Sequence, residues 1–199
     1  MIALVDYGIG NLRSVDKALA AVGADVRLTS DPETILAAEK VVLPGVGAFG
    51  DGMAGLRQRG LIDVVNEVVA RGTPLLGICV GMQLLFEESE EHGRHAGLGL
   101  LPGRVRHFAA SDLKVPHTGW NQIEPARDSV LLRGVKAGDY VYFNHGYYCN
   151  AAAETLAWTT YGVRYACMVE RGRLYGIQFH PEKSQRVGLT ILKNFVELG

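Results

Sequence analysis

Leu75-Leu76-Gly77-Ile78-Cys79-Val80-Gly81-Met82-Gln83 sets a lone cysteine between two glycines at the end of an apolar run. Thr73 to Ile78 has the length and apolar character of a buried strand, and Val80 to Glu90 carries Met82, Leu85 and Phe86 at helical spacing. Strand, sharp turn and helix make up the nucleophile elbow, G-x-S-x-G, with cysteine in the place of serine. At the two glycine positions a larger side chain would strike neighbouring backbone, while the residue between them is forced outward in a strained conformation. The helix start offers unpaired N–H groups and a positive dipole end, which favour a thiolate. The Val80 N–H then faces the place where an oxyanion would develop. A second reading is open at this position: free cysteine is among the most buried residue types, and a thiol after Leu-Leu-Gly-Ile can simply fill the core.

The sequence before this stretch alternates strand and helix. Ile2 to Val5 reads as a strand, and Leu12, Val15, Leu19 and Val22 recur at helical spacing up to Gly23. Val26 to Thr29 is a second strand; Ser30 and Glu33 then have capping-box spacing, with Pro32 in the first turn of a short helix. Val41 to Leu43 is a third strand, followed by a glycine-rich loop and a helix from Leu61 to Val69 that stops at Gly72. From Gly97 to Phe179 the texture changes to short strands, among them Arg104 to Phe108, Tyr140 to Phe143, and Val163 to Phe179 folded at Arg171-Gly172. A last helix, Gln185 to Leu198, buries Val187, Ile191, Leu192 and Phe195. The pattern predicts one α/β domain over residues 1–199, with a central mixed, mostly parallel sheet flanked by helices and antiparallel strands added at one side.

Hydrophobic residues make up 48% of the 199 and charged residues 21%, with a formal net charge of −1. With acids and bases interspersed there is no basic field to attract nucleic acid or anionic lipid, so neither is expected as a partner. Cys79, Cys149 and Cys167 match no disulfide or zinc pattern, and reduced thiols are the simplest reading. Met1 leads straight into Ile2-Ala3-Leu4-Val5-Asp6 without the basic region of a signal peptide, and no apolar run could span a bilayer. The expectation is a cytoplasmic protein. His92 and His95 lie among Glu90, Glu91 and Arg94 as solvated surface; no metal and no cofactor is expected.

A nucleophile needs a base, held by a third group. Tyr175-Gly176-Ile177-Gln178-Phe179-His180-Pro181-Glu182-Lys183 runs an apolar strand into His-Pro-Glu. His180 stands at a strand's carboxyl end, as Cys79 does, and sites in parallel α/β sheets form outside those ends. Glu182 could fix the imidazole tautomer, with Pro181 stiffening the link; alternatively it caps the helix that follows. Val41-Val42-Leu43-Pro44-Gly45-Val46-Gly47-Ala48-Phe49-Gly50 is another strand that empties into a glycine loop. It contains G-x-G-x-x-G, but it does not open the first β-α turn and lacks the acid about twenty residues on that a dinucleotide site uses. A loop of free N–H groups beside Cys79 serves better as the other half of an oxyanion hole.

Pro44-Gly45-Val46-Gly47, Gly77-Ile78-Cys79-Val80-Gly81 and His180-Pro181-Glu182, in this order and spacing, resemble the three signatures of class I glutamine amidotransferases. Asp6-Tyr7-Gly8-Ile9-Gly10-Asn11-Leu12, Val115-Pro116-His117-Thr118-Gly119-Trp120-Asn121 and Tyr147-Tyr148 are similar to the branch that provides the glutaminase subunits of imidazole glycerol phosphate synthases. The resemblance implies a Cys79–His180–Glu182 triad acting on L-glutamine, an oxyanion hole at Val46, Gly47 and Val80, and substrate contacts from Gly47, Gln83, Glu91, Gly146 and Tyr147. It also implies a (β/α)8 cyclase subunit as heterodimer partner, with Asn11, Pro116, Trp120 and Lys183 at or near the interface. Asn144-His145-Gly146 departs from the valine-histidine-serine usual before the paired tyrosines; a serine side chain has no counterpart there, whereas backbone contacts survive. Other readings are a glutaminase for a different synthase, in aromatic or nucleotide synthesis, a small elbow-cysteine hydrolase, and a binding module with Cys79 in its core.

Overall fold

Short apolar runs near the N-terminus form β1 (Ile2–Val5), β2 (Val26–Thr29), β3 (Lys40–Leu43) and β4 (Leu75–Ile78) in the computed structural model, which describes residues 1–108 and 113–198. Between and after them come α1 (Leu12–Ala21), α2 (Pro32–Leu36), α3 (Phe49–Gln58), α4 (Leu61–Ala70) and the single turn α5 (Val80–Gln83). The second part carries β5 (Phe86–Ser89), β6 (His95–Ala96), β7 (Leu101–His107), β8 (His117–Gln122), β9 (Glu124–Pro125) and β10 (Tyr140–His145). β11 (Tyr147–Asn150), β12 (Thr155–Tyr161), β13 (Val163–Arg171), β14 (Leu174–Ile177) and α6 (Gln185–Val196) complete the order.

The main sheet runs β2-β1-β3-β4-β14-β13-β11-β7-β5-β6, with β12 on β13 and β9 on β12; β8 and β10 pair separately. It is parallel from β2 through β14 and antiparallel from β14 through β13 and β11 to β7, beyond which β7 and β5 pair in parallel and β6 closes the edge antiparallel, the mixed α/β class read from the sequence. All residues of β1 and β4 are buried, as expected of parallel strands covered on both faces. β14 is the decisive strand. It turns back from β13 at Gly172-Arg173, one residue later than the sequence pattern suggests, as the second arm of a hairpin, yet lies parallel to β4, with Gly176 beside Gly77 and Ile177 beside Ile78. Two chain segments far apart in sequence therefore leave the sheet side by side. No helix among the described residues is long and apolar enough to cross a membrane.

The structure departs from the sequence reading in three places. The helix expected over 80–90 stops at Gln83, and Phe86–Ser89 is a strand. Residues 80–86 are all buried, so there is no solvent face to give a helical period, and the Leu84 and Leu85 carbonyls accept from Leu98, Leu100 and Leu101 instead of continuing the helix. The stretch after Gly47 that reads as loop contains α3, despite glycines at 50, 52 and 55. Packing overrides propensity here: a Cβ on Gly55 would collide with the Tyr7 carbonyl oxygen, and one on Gly52 would come within 3.1 Å of Leu84. Finally, the cap of α2 is Asp31, whose carboxylate accepts from Thr34 N at 3.0 Å; Ser30 stands one residue too early.

Candidate active site

Cys79 has φ 55° and ψ −112°, a conformation costing about 1–3 kcal/mol for a side-chain-bearing residue. Surrounding bonds hold it there: Cys79 N donates to Ile177 O at 2.7 Å, and Met82 N and Gln83 N donate back to its carbonyl. The flanking glycines are required by close approach. A Cβ on Gly77 would lie 2.6 Å from Gly81 O, and one on Gly81 would drive into the Leu43 carbonyl oxygen. Because backbone cannot yield as a flexible side chain does, Gly81→Ala should destabilise the protein by about 3 kcal/mol or more, read as a lower urea midpoint. Since α5 is one turn long, its dipole contributes little, and the charge partners of the thiol come from elsewhere.

The main partner arrives on the segment leaving β14. His180 is buried, its N–H donates to Tyr142 O at 2.9 Å, and its Nδ1 lies 2.9 Å from Glu182 Oε1. Glu182 is not a helix cap: its side chain is 1% exposed, and Oε2 accepts no bond among the described residues, so the imidazole is its one partner. Burial pulls the His180 imidazole down, but hydrogen bonds to Cys79 and Glu182, with their charges, outweigh it and raise the group from 6.5 to about 10. A histidine raised in this way stabilises the fold fully below about pH 6.5 and loses that contribution as pH climbs toward 10. Denaturation midpoints should therefore fall across this window, and His180→Asn should flatten the slope.

Gln178 completes the inner site and was not singled out by the sequence reading. It is fully buried; its Nε2 points at Cys79 Sγ at 3.8 Å, and its Oε1 accepts from Gln83 Nε2 at 3.1 Å. An amide inside the apolar run Tyr175–Phe179 was the available signal, since buried polar groups need partners. Cys149 and Cys167, by contrast, are core thiols pushed up by burial.

Cys79 and His180 open onto a cleft of about 480 Å³ including its mouth. Val46, Gly47, Val80, Gln83, Glu91, Gly146 and Tyr147 all line it, together with Asn144, His145 and Lys183, so the residues expected around the substrate share one cavity. Gln83 Nε2 also donates to Tyr147 O at 3.1 Å, and the Tyr147 phenol is raised by partial burial and by the carboxylates of Glu91 and Glu90. Glu91 Oε2 accepts from Phe49 N at 2.7 Å, at the start of α3. A carboxylate therefore sits where a dinucleotide phosphate would need the helix end, which removes the G-x-G-x-x-G reading. The oxyanion hole differs from expectation in one bond: the Val80 amide donates to Gly45 O at 3.3 Å and so is engaged within the protein. The loop carrying that carbonyl is clamped from behind by the Tyr7 hydroxyl, which donates to Pro44 O.

Of the expected interface residues, Lys183 lines the cleft, and Trp120 and Lys183 both approach the ring of Tyr142. Trp120, 46% exposed, packs edge-on against Tyr142 at 6.0 Å, and Lys183 Nζ lies 5.7 Å from the same ring. Asn11 caps α1 without a side-chain bond and is exposed; Pro116, also exposed, immediately precedes β8. No cluster of three or more His, Cys, Asp or Glu among the described residues could hold a metal.

A thiol on an elbow, a histidine–carboxylate pair beside it and an adjoining cleft suit acyl transfer through a thioester. The sequence profile of the family described as "Glutamine amidotransferase class-I" matches residues 3–198. The chain belongs to that family. Among class-I glutamine amidotransferase relatives, it is 54% identical to "Imidazole glycerol phosphate synthase subunit HisH" of Moorella thermoacetica, over 99% of this chain and 94% of that protein. It is 46% identical to the protein of that name from Chlorobium luteolum, over 99% of this chain and all of that one. Among solved structures, "Structure of PurLQS from Thermotoga maritima" superposes with a TM-score of 0.77 at 18% identity, covering 98% of this chain and 96% of that one. The Trypanosoma brucei CTPS glutaminase domain with bound acivicin superposes with a TM-score of 0.69 at 18% identity, covering 97% and 91%. At these identities the structures speak for the fold.

Proposed function

We propose that this class-I amidotransferase is the glutaminase subunit of an imidazole glycerol phosphate synthase and works in the cytoplasm. It hydrolyses glutamine and passes ammonia to a (β/α)8 cyclase subunit, which makes imidazole glycerol phosphate and an aminoimidazole carboxamide ribotide in histidine biosynthesis. The observation that carries the reading is the convergence of Cys79 and His180, the latter backed by Glu182, on one cleft lined by Gln83, Glu91, Gly146 and Tyr147. The relatives' shared name selects the synthase.

In the reaction, Cys79 Sγ attacks the side-chain amide carbon of glutamine. His180 receives the thiol proton and delivers it to the departing nitrogen, so ammonia leaves and a glutamyl thioester remains. Water, deprotonated by the same imidazole, cleaves the thioester to glutamate and restores the thiol. Glu182 holds the imidazole and offsets its positive charge. The carboxylate of Glu91 suits the substrate's α-ammonium group. The tetrahedral intermediates need N–H donors, and the Val80 amide becomes one only when released from Gly45 O.

Asn11, Pro116, Trp120 and Lys183 form the docking side for the cyclase, so that ammonia leaves the cleft without meeting bulk water. Mixing the chain with a candidate cyclase, its ribulosyl substrate and glutamine tests this. Product should form only with both subunits present. Glutamine turnover should rise at least tenfold on docking, because one oxyanion donor is worth roughly 10²–10³ in kcat. Equal turnover with and without the cyclase would refute the coupling, and absence of glutamine-dependent product would refute the assignment.

A further inference from the structure

Among the polar side chains of the segment Val115–Asn121, His117 and Asn121 face inward and are left unused by the reaction above. His117 is buried and stacks against Phe143 and Tyr161, with centroids 4.7 and 3.9 Å away. His145 is buried as well, and the Tyr165 hydroxyl stands between the two, 3.1 Å from His117 Nδ1 and 2.9 Å from His145 Nε2. The row of polar atoms continues at both ends. Asn121 Nδ2 lies 3.4 Å from His117 Nε2, and His145 Nδ1 lies 2.7 Å from the carbonyl oxygen of Tyr147.

Counting protons gives this row a direction. A carbonyl only accepts, so His145 carries its proton on Nδ1 and presents a lone pair at Nε2. That lone pair takes the single hydroxyl proton of Tyr165. The Tyr165 oxygen then accepts from His117 Nδ1–H, which leaves His117 Nε2 to accept from Asn121. The far end gives the same order independently: Asn121 Oδ1 accepts from Gln122 N at 2.8 Å and Nδ2 donates to Thr160 O at 2.9 Å, so nitrogen faces the histidine. Both imidazoles have to be neutral for this. Burial lowers His117 to about 4; burial, together with the charges of His117 and His180, lowers His145 to about 3 against the opposing Tyr147 hydrogen bond.

We propose that Asn121, His117, Tyr165 and His145 form a one-way hydrogen-bond chain that positions the Tyr147 carbonyl, and with it one wall of the glutamine cleft, from strand β8. The Tyr147 carbonyl is also gripped by Gln83 Nε2, so the peptide is fixed from two directions. The four are positioning residues: they set where Gly146 and Tyr147 stand and leave bond-making to Cys79 and His180. β8 carries Trp120 beside Asn121, so the chain begins on the strand assigned above to the docking side. The effect on glutamine rests on the glutaminase reading, whereas the order of protons does not.

Long-range proton–nitrogen NMR on the histidine-labelled, full-length chain at neutral pH tests the order directly. His117 and His145 should both be neutral Nδ1–H tautomers, the less common form of imidazole in water; an Nε2–H tautomer at His145 would overturn the chain. Tyr165→Phe keeps the ring and removes both hydroxyl bonds. In complex with the cyclase it should raise the KM for glutamine about tenfold, as expected for a loss near the upper end of one buried hydrogen bond, with a smaller change in kcat and unchanged ammonia-dependent synthesis. An unchanged glutamine KM would remove the positioning role even with both tautomers in place. If that variant does not fold, Asn121→Ala at the open end leaves the order set from the Tyr147 carbonyl, so His117 should stay Nδ1–H while the glutamine KM rises in the same direction; an Nε2–H tautomer at His117 or an unchanged KM would overturn the proposal. Glutamine turnover surviving in a Cys79→Ala complex would instead count against the glutaminase reading and leave the tautomer result standing.

Discussion

Cys79→Ala should abolish glutamine-dependent product formation, by about 10⁴-fold or more, while the same complex supplied with ammonia continues to work. The contrast follows from the position of the thiol. It sits on a strained turn lining the cleft proposed for glutamine, and removing Sγ leaves both glycine contacts and the backbone bonds at Cys79 in place. The relevant measurement is the ratio of the two activities in one preparation, since a folding defect lowers both. Loss of ammonia-dependent synthesis in a folded complex would argue that Cys79 does something other than attack glutamine.

The second large effect concerns Glu182→Gln. The carboxylate is buried, accepts from His180 Nδ1 at 2.9 Å and has no other partner among the described residues. An amide of the same shape can turn its NH2 toward Nδ1, selecting the wrong tautomer and withdrawing the charge that favours imidazolium. A kcat lower by about 10³–10⁴, with a nearly unchanged KM for glutamine, is expected from the corresponding change in a serine triad. Alkylation of Cys79 by a glutamine-like electrophile should slow in the same variant. A loss confined to KM would reassign Glu182 to substrate binding.

The residues expected to react were legible because their chemistry demands local patterns. Gly77 and Gly81 announce the turn around Cys79, and Pro181 with Glu182 marks one histidine among six. The β-α alternation up to Ile78 was legible for a similar reason, since the strands are short apolar runs and the longer helices bury a regular stripe. Where that regularity fails, the sequence misleads. Residues 80–86 are buried on every side and carry no period that tells a short turn from a long helix. In α3, Gly52 and Gly55 allow close contact with Leu84 and Tyr7, and propensity alone takes such glycines for loop. Gln178, His145 and Tyr165 gain their meaning from partners brought in by other strands. The bond between Val80 N and Gly45 O joins two motifs that were each recognised, and only their juxtaposition in space reveals it.

The placement of β14 has a consequence for how the enzyme comes into being during translation. β1, β3 and β4 can pair as soon as they leave the ribosome, but the open edge of β4 waits until Leu174–Ile177 has been synthesised. Through that interval Cys79 has neither His180 nor Glu182, so a nascent chain is inert toward the cell's glutamine however much of its N-terminal half has folded. The cost is an unpaired, fully apolar strand edge exposed to other nascent chains, a natural client for chaperones and a point where slow elongation invites aggregation. Activity thus waits on the insertion of one four-residue strand and on the His-Pro-Glu that follows it.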